Sequence, residues 1–144
     1  MPRTLSPASY SQLNPKQKEL HNFQRVSAVF ADLGFATYRL TDDWNGADFF
    51  AVPFNGDPPL KVQLKTRVII CGKYRGMDLY ICFQYNNRWY LFPHDEIFKY
   101  ATKNKNVLKT KGWESGEGTY SWPSPPKWLL AILQQFELRA GWTH

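Results

Sequence analysis

Asp48, Gln63 and Lys65 are the residues whose types and spacing bear most directly on chemistry. Asp48 stands in Asn45-Gly46-Ala47-Asp48-Phe49-Phe50-Ala51-Val52, at the opening of a nearly all-apolar run. A carboxylate in such a run is costly unless it meets a cation or hydrogen-bond donors. Gln63 and Lys65 fall in Leu60-Lys61-Val62-Gln63-Leu64-Lys65-Thr66-Arg67. Side chains alternate along a strand, which puts Leu60, Val62 and Leu64 on one face and Lys61, Gln63, Lys65 and Arg67 on the other. Neighbouring strands lie about 4.8 Å apart. If the two runs pair, Asp48 reaches the Gln63–Lys65 face.

The elements that must position these residues can be read along the chain. Residues 1–13 are polar, carry Pro2 and Pro7, and read as a flexible arm. Asn14-Pro15-Lys16-Gln17 predicts a helix start, with Asn as the cap, Pro in the first turn and Gln three residues on. Leu20, Phe23, Val26, Phe30 and Leu33 then make one apolar stripe, and Leu33-Gly34-Phe35 closes the helix. Strands are expected over 36–41, 47–54 and 59–67, separated by Asp42-Asp43-Trp44-Asn45-Gly46 and Asn55-Gly56-Asp57-Pro58-Pro59. A hairpin over 79–85 and 88–93 turns at Asn86-Asn87. His94-Asp95-Glu96 opens a second helix to about residue 103, and 104–123 reads as a long loop. Ser124-Pro125-Pro126 caps a last helix that buries Leu129, Ile132, Leu133 and Phe136. The sum is one α+β domain over 14–144, a helix packed on a mixed or antiparallel sheet.

Charge narrows the partners. The chain of 144 residues has 18 basic and 12 acidic residues, a net charge of +6. Ten of the basic residues fall in two stretches that hold no acid, 61–75 and 99–111. Such clustering favours a polyanion, although a lysine-rich segment such as 99–111 equally suits a solvated loop. Cys71 and Cys82, the two cysteines, form neither a zinc-finger spacing nor a disulfide framework and read as structural. No apolar stretch approaches the roughly 20 residues that span a bilayer, and no signal-peptide core leads the chain. A cytoplasmic, soluble protein is expected.

Gly46-Ala47-Asp48-Phe49-Phe50-Ala51 followed by Val62-Gln63-Leu64-Lys65 resembles the two motifs of the PD-(D/E)XK nuclease superfamily, which includes restriction enzymes and archaeal Holliday-junction resolvases. The resemblance spans about residues 14–103 and includes the preceding helix and the strand order. It implies a restriction-endonuclease-like core, a mixed central sheet flanked by helices. It also implies a metal-dependent endonuclease that hydrolyses phosphodiester bonds in DNA with Mg²⁺, or Mn²⁺ in its place. By the same resemblance Asp48 is the metal-binding aspartate, Gln63 stands at the second acidic position and Lys65 is the lysine near the attacking water. Glu19, one helical turn before Phe23, would be the additional helix-borne carboxylate, and the Leu64 backbone carbonyl a further ligand. Mg²⁺ takes hard oxygen ligands, typically one or two carboxylates with waters and a phosphate oxygen. Two positions depart from the motif. Ala47 replaces a proline that only shapes the turn, and Gln63 replaces Asp or Glu, keeping an oxygen ligand without its charge.

Each assignment has a plainer alternative. Asp48 and Lys65 also suit an interstrand ion pair, and Glu19 a solvated helix surface. Asp42 and Asp43 read as turn formers, His94 as a residue near a helix start, and Trp44 as core cover or a base-stacking ring. Lys61, Arg67, Lys73 and Arg75 are the expected phosphate contacts. A homodimer or higher homo-oligomer is the default for cutting both strands. Two other functions fit the same residues: a DNA-binding module that has lost catalysis, with Gln63 as its mark, and an inhibitor- or immunity-type protein-interaction domain.

Overall fold

The computed structural model describes residues 3–44, 46–104 and 118–139. The first helix, α1 (Pro15–Asp32), begins as its sequence requires. The Asn14 side chain accepts the Gln17 N–H at 2.8 Å, and the Gln17 side chain accepts the Asn14 N–H at 2.9 Å. These two bonds satisfy donors that a helix start leaves open. Gly34 ends the helix with φ +85°, a left-handed conformation that favours glycine. The apolar stripe is shorter at both ends than expected. Phe23, Val26 and Phe30 pack inward, whereas Leu20 and Leu33 are exposed.

The main sheet is five-stranded, in the order β1-β2-β3-β5-β6. Its strands are β1 (Phe35–Trp44), β2 (Ala47–Pro53), β3 (Leu60–Leu64), β5 (Leu79–Tyr85) and β6 (Arg88–Pro93). Only β3 and β5 run parallel, so the sheet is mixed. The hairpin turn at Asn86-Asn87 has φ of 50° and 61°, the pattern of a type I′ turn in which asparagine is well tolerated. Two short strands, β4 (Val68–Cys71) and β7 (Thr119–Trp122), form a second antiparallel sheet. Neither was expected, and β7 falls inside the segment read as loop. Helix α2 (His94–Asn104) follows β6, and α3 (Lys127–Leu133) follows β7.

The main sheet separates two apolar layers. On one face α1 sets Val26 and Phe30 against Phe49, Ala51, Val62 and Cys82. Phe49 meets Phe23 and Phe30 edge-on, with ring centroids 5.1 and 5.8 Å away. Fully burying a phenylalanine contributes roughly 1.5–3 kcal/mol, so these rings hold α1 over β2. On the other face Ile97 and Ala101 of α2, Leu129 and Leu133 of α3, and Val68, Ile70 and Trp122 of the small sheet pack with Ile81, Phe83 and Phe92. Ile132 and Phe136 are partly buried there. The α3 cap is Pro126; the Ser124 hydroxyl instead bonds Tyr85 at 3.1 Å.

Two strand boundaries and the N-terminal segment depart from expectation. β1 continues through Asp42 and Asp43, with an irregular register between Arg39 and Trp44, so these acids lie within a strand instead of a turn. β3 stops at Leu64, so Arg67 lies in the bend that follows it. Tyr10, in the segment expected to be a free arm, accepts a hydrogen bond from Asn22 Nδ2 at 3.0 Å and lies against α1. The Trp44 side chain and Lys105, Lys109 and Lys111 lie outside the described residues.

Candidate active site

The site is built where β2 and β3 part. Gly46 precedes β2 with φ +83°, and a Cβ there would meet Leu79 at 3.3 Å and Tyr74 at 3.5 Å. The positive φ is what favours glycine here, and a side chain would also crowd the end of Leu79. The turn delivers Asp48 as the second residue of β2. In the β2–β3 ladder Phe49 faces Val62 and Phe50 faces Lys61, so one further step sets Asp48 opposite Gln63. The ladder does not continue to Leu64. The Leu64 N–H donates to Asp48 Oδ2 at 2.8 Å, so a carboxylate takes the place of a strand carbonyl. On its other edge β3 stays held, with Leu64 paired to Cys82 and the Lys65 N–H donating to the Cys82 carbonyl at 2.8 Å. A cleft of about 240 Å³ opens at this parting.

Glu19, Asp48, Gln63 and Lys65 all line that cleft, as does Leu64. Gln63 is only 9% exposed, which makes its amide geometry decisive. The orientation that satisfies both ends turns its nitrogen to donate to the Gly46 carbonyl and its oxygen to accept from Lys65 Nζ at 3.3 Å. Gln63 therefore ties the turn that places Asp48 to the lysine beside it. Glu19 lies at the rim, its side chain 64% exposed on α1, and pairs with Arg39 of β1, Nη2 to Oε1 at 3.1 Å. Arg39 also lies over the Phe23 ring, 5.7 Å from its centroid. A larger cavity of about 580 Å³ shares Glu19, Arg39 and Asp48 and continues past Lys16 and Asp42. Sequence reading missed Arg39 and Lys16. A lone arginine on a strand carries no motif, and Lys16 drew notice only as part of a helix start.

The expected phosphate contacts lie elsewhere. Lys61 sits at the start of β3, paired with Phe50 and Leu79, and Arg67 is exposed in the bend after β3. Lys73 lies over Tyr74 at 5.5 Å, and Arg75 over Phe98 of α2 at 5.4 Å. None of the four lines either cavity. Between Arg67 and Lys73 the chain forms β4, which pairs with β7.

His94 and the cysteines serve the fold. His94 is fully buried, its Nε2 accepts the Cys71 N–H at 3.0 Å, and its Nδ1 lies 3.0 Å from Asp95 Oδ1. Its ring thus joins α2 to β4, a larger task than the helix-start role expected of it. Burial holds the imidazole below its ordinary pKa, although the hydrogen bond to Asp95 and the Asp95 charge pull it upward. The Cys82 thiol is pushed up by burial, which keeps it protonated and unreactive. Both cysteines are buried and free.

No protein-family model matches this chain, and no curated protein or solved structure matches it either. No helix among the described residues is long and apolar enough to cross a membrane.

Proposed function

We propose that the chain is a nuclease of the PD-(D/E)XK kind, with a restriction-endonuclease-like core, that hydrolyses phosphodiester bonds in DNA using Mg²⁺ or Mn²⁺. One observation carries this reading: Glu19, Asp48, Gln63 and Lys65, from three separate elements, converge on a single cleft at the parting of β2 and β3. The donor set suits the cation in kind. Two carboxylates and neutral backbone and amide oxygens are hard ligands, as Mg²⁺ prefers. Glu19 must leave Arg39 to take part, and an exposed pair of this sort is worth only about 0–1 kcal/mol. When bound, the ion would make an attacking water easier to deprotonate and would neutralise charge on the phosphate.

The chain's own residues do the rest. Asp48 is oriented by the Leu64 N–H before any cation arrives. Gln63 positions Lys65 without neutralising it, because an amide oxygen carries no charge. Lys65 therefore keeps its full positive charge for the phosphate or the attacking water, where an acid in place of Gln63 would offset it. Arg39, released from Glu19, is placed to meet a phosphate oxygen. A homodimer or higher oligomer and a cytoplasmic location go with this reading.

A second reading is favoured by one specific feature. Among the described residues, no three His, Cys, Asp or Glu side chains gather as a metal cluster, and the Gln63 amide is engaged at both ends. This suits a DNA-binding module without catalysis. The two separate in one experiment: plasmid, single-stranded and branched DNA are incubated with Mg²⁺ or Mn²⁺ and either wild type or Lys65→Ala. Cleavage of at least one form by wild type, lost in Lys65→Ala, supports the nuclease. DNA binding with no cleavage of any form supports the module.

A further inference from the structure

A second cleft, of about 250 Å³, shares Leu64 and Lys65 with the first but neither of its carboxylates. Its polar lining comprises His21, Asn22, Arg25, Lys65, Thr66 and Gln84. Among the described residues no Asp or Glu lines it. Three of these side chains come from one face of α1, where His21, Asn22 and Arg25 follow Lys18 at steps of three, four and seven residues. The remaining walls are aromatic. Trp89 is almost wholly buried, whereas Tyr10 is 45% exposed. The Tyr10 ring is fixed in place by Asn22, by the His21 ring at 5.4 Å and by Lys18 Nζ at 5.3 Å. The N-terminal segment thus supplies one wall of the cleft.

This lining has a definite chemistry. Arg25 and Lys65 are cations, while the Thr66 hydroxyl and the Asn22 and Gln84 amides can donate to oxygen. Phosphodiester oxygens accept from just these groups, and an exposed tyrosine ring offers a stacking face to a base. Lys65 is shared by both clefts. One cleft carries Asp48 and Glu19 and suits a cation, and the other carries no acid and suits an anion.

We propose that this acid-free cleft binds the sugar-phosphate backbone of the nucleic-acid strand beside the phosphate that the Asp48 cleft attacks. The inference rests on the nuclease reading for its direction, and it moves the strand contacts from Lys73 and Arg75 to Arg25, Lys65 and the Tyr10 wall.

The test is binding of fluorescein-labelled DNA, single-stranded and duplex, and of RNA of the same sequence, across a KCl series in EDTA. Wild type is compared with Arg25→Ala, Arg25→Lys, Arg25→Glu and the pair Lys73→Ala with Arg75→Ala. Thermal melts confirm that each variant is folded, as expected for exposed positions. Arg25→Ala should weaken binding roughly tenfold and lower the log–log salt slope by about one unit. Arg25→Glu should weaken it further, Arg25→Lys should keep the slope, and the Lys73/Arg75 pair should change little. Tighter binding of RNA would keep the site and assign it an RNA strand. Equal binding by wild type, Arg25→Ala and Arg25→Glu would overturn the inference while leaving the nuclease reading intact if Mg²⁺-dependent cleavage persists. A wild type that never cuts, yet binds through Arg25, would fail the nuclease reading and keep this site. No binding to any probe would overturn both.

Discussion

Two aspartates in this protein do the same local job in opposite surroundings. Asp48 accepts the Leu64 N–H at 2.8 Å, and Asp95 accepts the Gly76 N–H at 3.0 Å. Each ties a backbone donor at the edge of an element. Beside Asp95 the network closes on itself: His94 is fully buried and both ring nitrogens have protein partners, one a backbone N–H. Beside Asp48 the network opens, because the strands part and a cleft forms whose walls carry a lysine, an arginine and a second acid. A closed polar network fixes a fold. An open one, lined by charges at a cleft, can meet a ligand. Substitutions should therefore separate by readout, those near His94 acting on stability alone and those near Asp48 acting on binding and cleavage as well.

The largest expected effect is on the closed side. His94→Ala strands the buried Cys71 N–H and leaves a cavity between α2 and β4, at a cost of about 2–4 kcal/mol. Urea unfolding measures it, and a change below 0.5 kcal/mol would erase the contrast between the two regions. On the open side, Gln63→Glu sets a carboxylate oxygen against the Gly46 carbonyl, so without metal it should cost about 1–3 kcal/mol. Millimolar Mg²⁺ should restore much of that loss if position 63 faces the ion, and melting with and without Mg²⁺ reads this directly. A loss that Mg²⁺ leaves untouched would place Gln63 outside the metal's reach.

Acid should act first through the closed network. Burial holds folded His94 below its ordinary value of 6.5. As pH falls past 6.5, the unfolded chain takes up a proton that the folded chain resists. This contribution is therefore complete above 6.5 and declines as pH drops toward the folded value. Asp95 acts lower. Burial pushes its carboxyl up, but the His94 and Gly76 hydrogen bonds, with the His94 and Lys99 charges, outweigh this and leave it below 3.8. Its contribution is present above 3.8 and lost as pH falls through the folded value. Stability measured from pH 8 to pH 5 should fall in wild type and lose that slope in His94→Gln. The smallest effect belongs to Glu19→Gln, which breaks an exposed pair with Arg39 and should change stability by no more than about 1 kcal/mol. Its effect on Mg²⁺ affinity should be larger, and an unchanged affinity would remove Glu19 from the metal's ligands.

The parts of this architecture that sequence made legible are those governed by local rules. The Asn14–Gln17 capping box, the Gly34 stop and the Asn86-Asn87 turn each depend on residues a few positions apart, and all three form as read. The convergence of Asp48, Gln63 and Lys65 was also accessible, because strand alternation and one antiparallel pairing suffice to bring them together. What escaped depends on distant partners. Val68–Cys71 is a strand only because Thr119–Trp122 pairs with it, across a segment whose composition reads as loop. His94 looks like a helix-start residue until the Cys71 N–H appears at its Nε2. Arg39 and the α1 face bearing His21, Asn22 and Arg25 carried no motif. Their roles arise from packing α1 over the sheet, although the acid-free spacing of Lys18, His21, Asn22 and Arg25 was there to be noticed.

The central claim is that Asp48 heads a metal-dependent hydrolytic centre. The most direct measurement is the rate of supercoiled-plasmid nicking as a function of Mg²⁺ concentration, for wild type and Asp48→Asn side by side. Asparagine keeps an oxygen for the Leu64 N–H, so the variant should fold and bind DNA. Wild type should nick with a saturable dependence on Mg²⁺, and Asp48→Asn should be slower by roughly 10²-fold or more. Equal rates in the two proteins, or nicking by wild type that ignores Mg²⁺ and Mn²⁺, would contradict the claim.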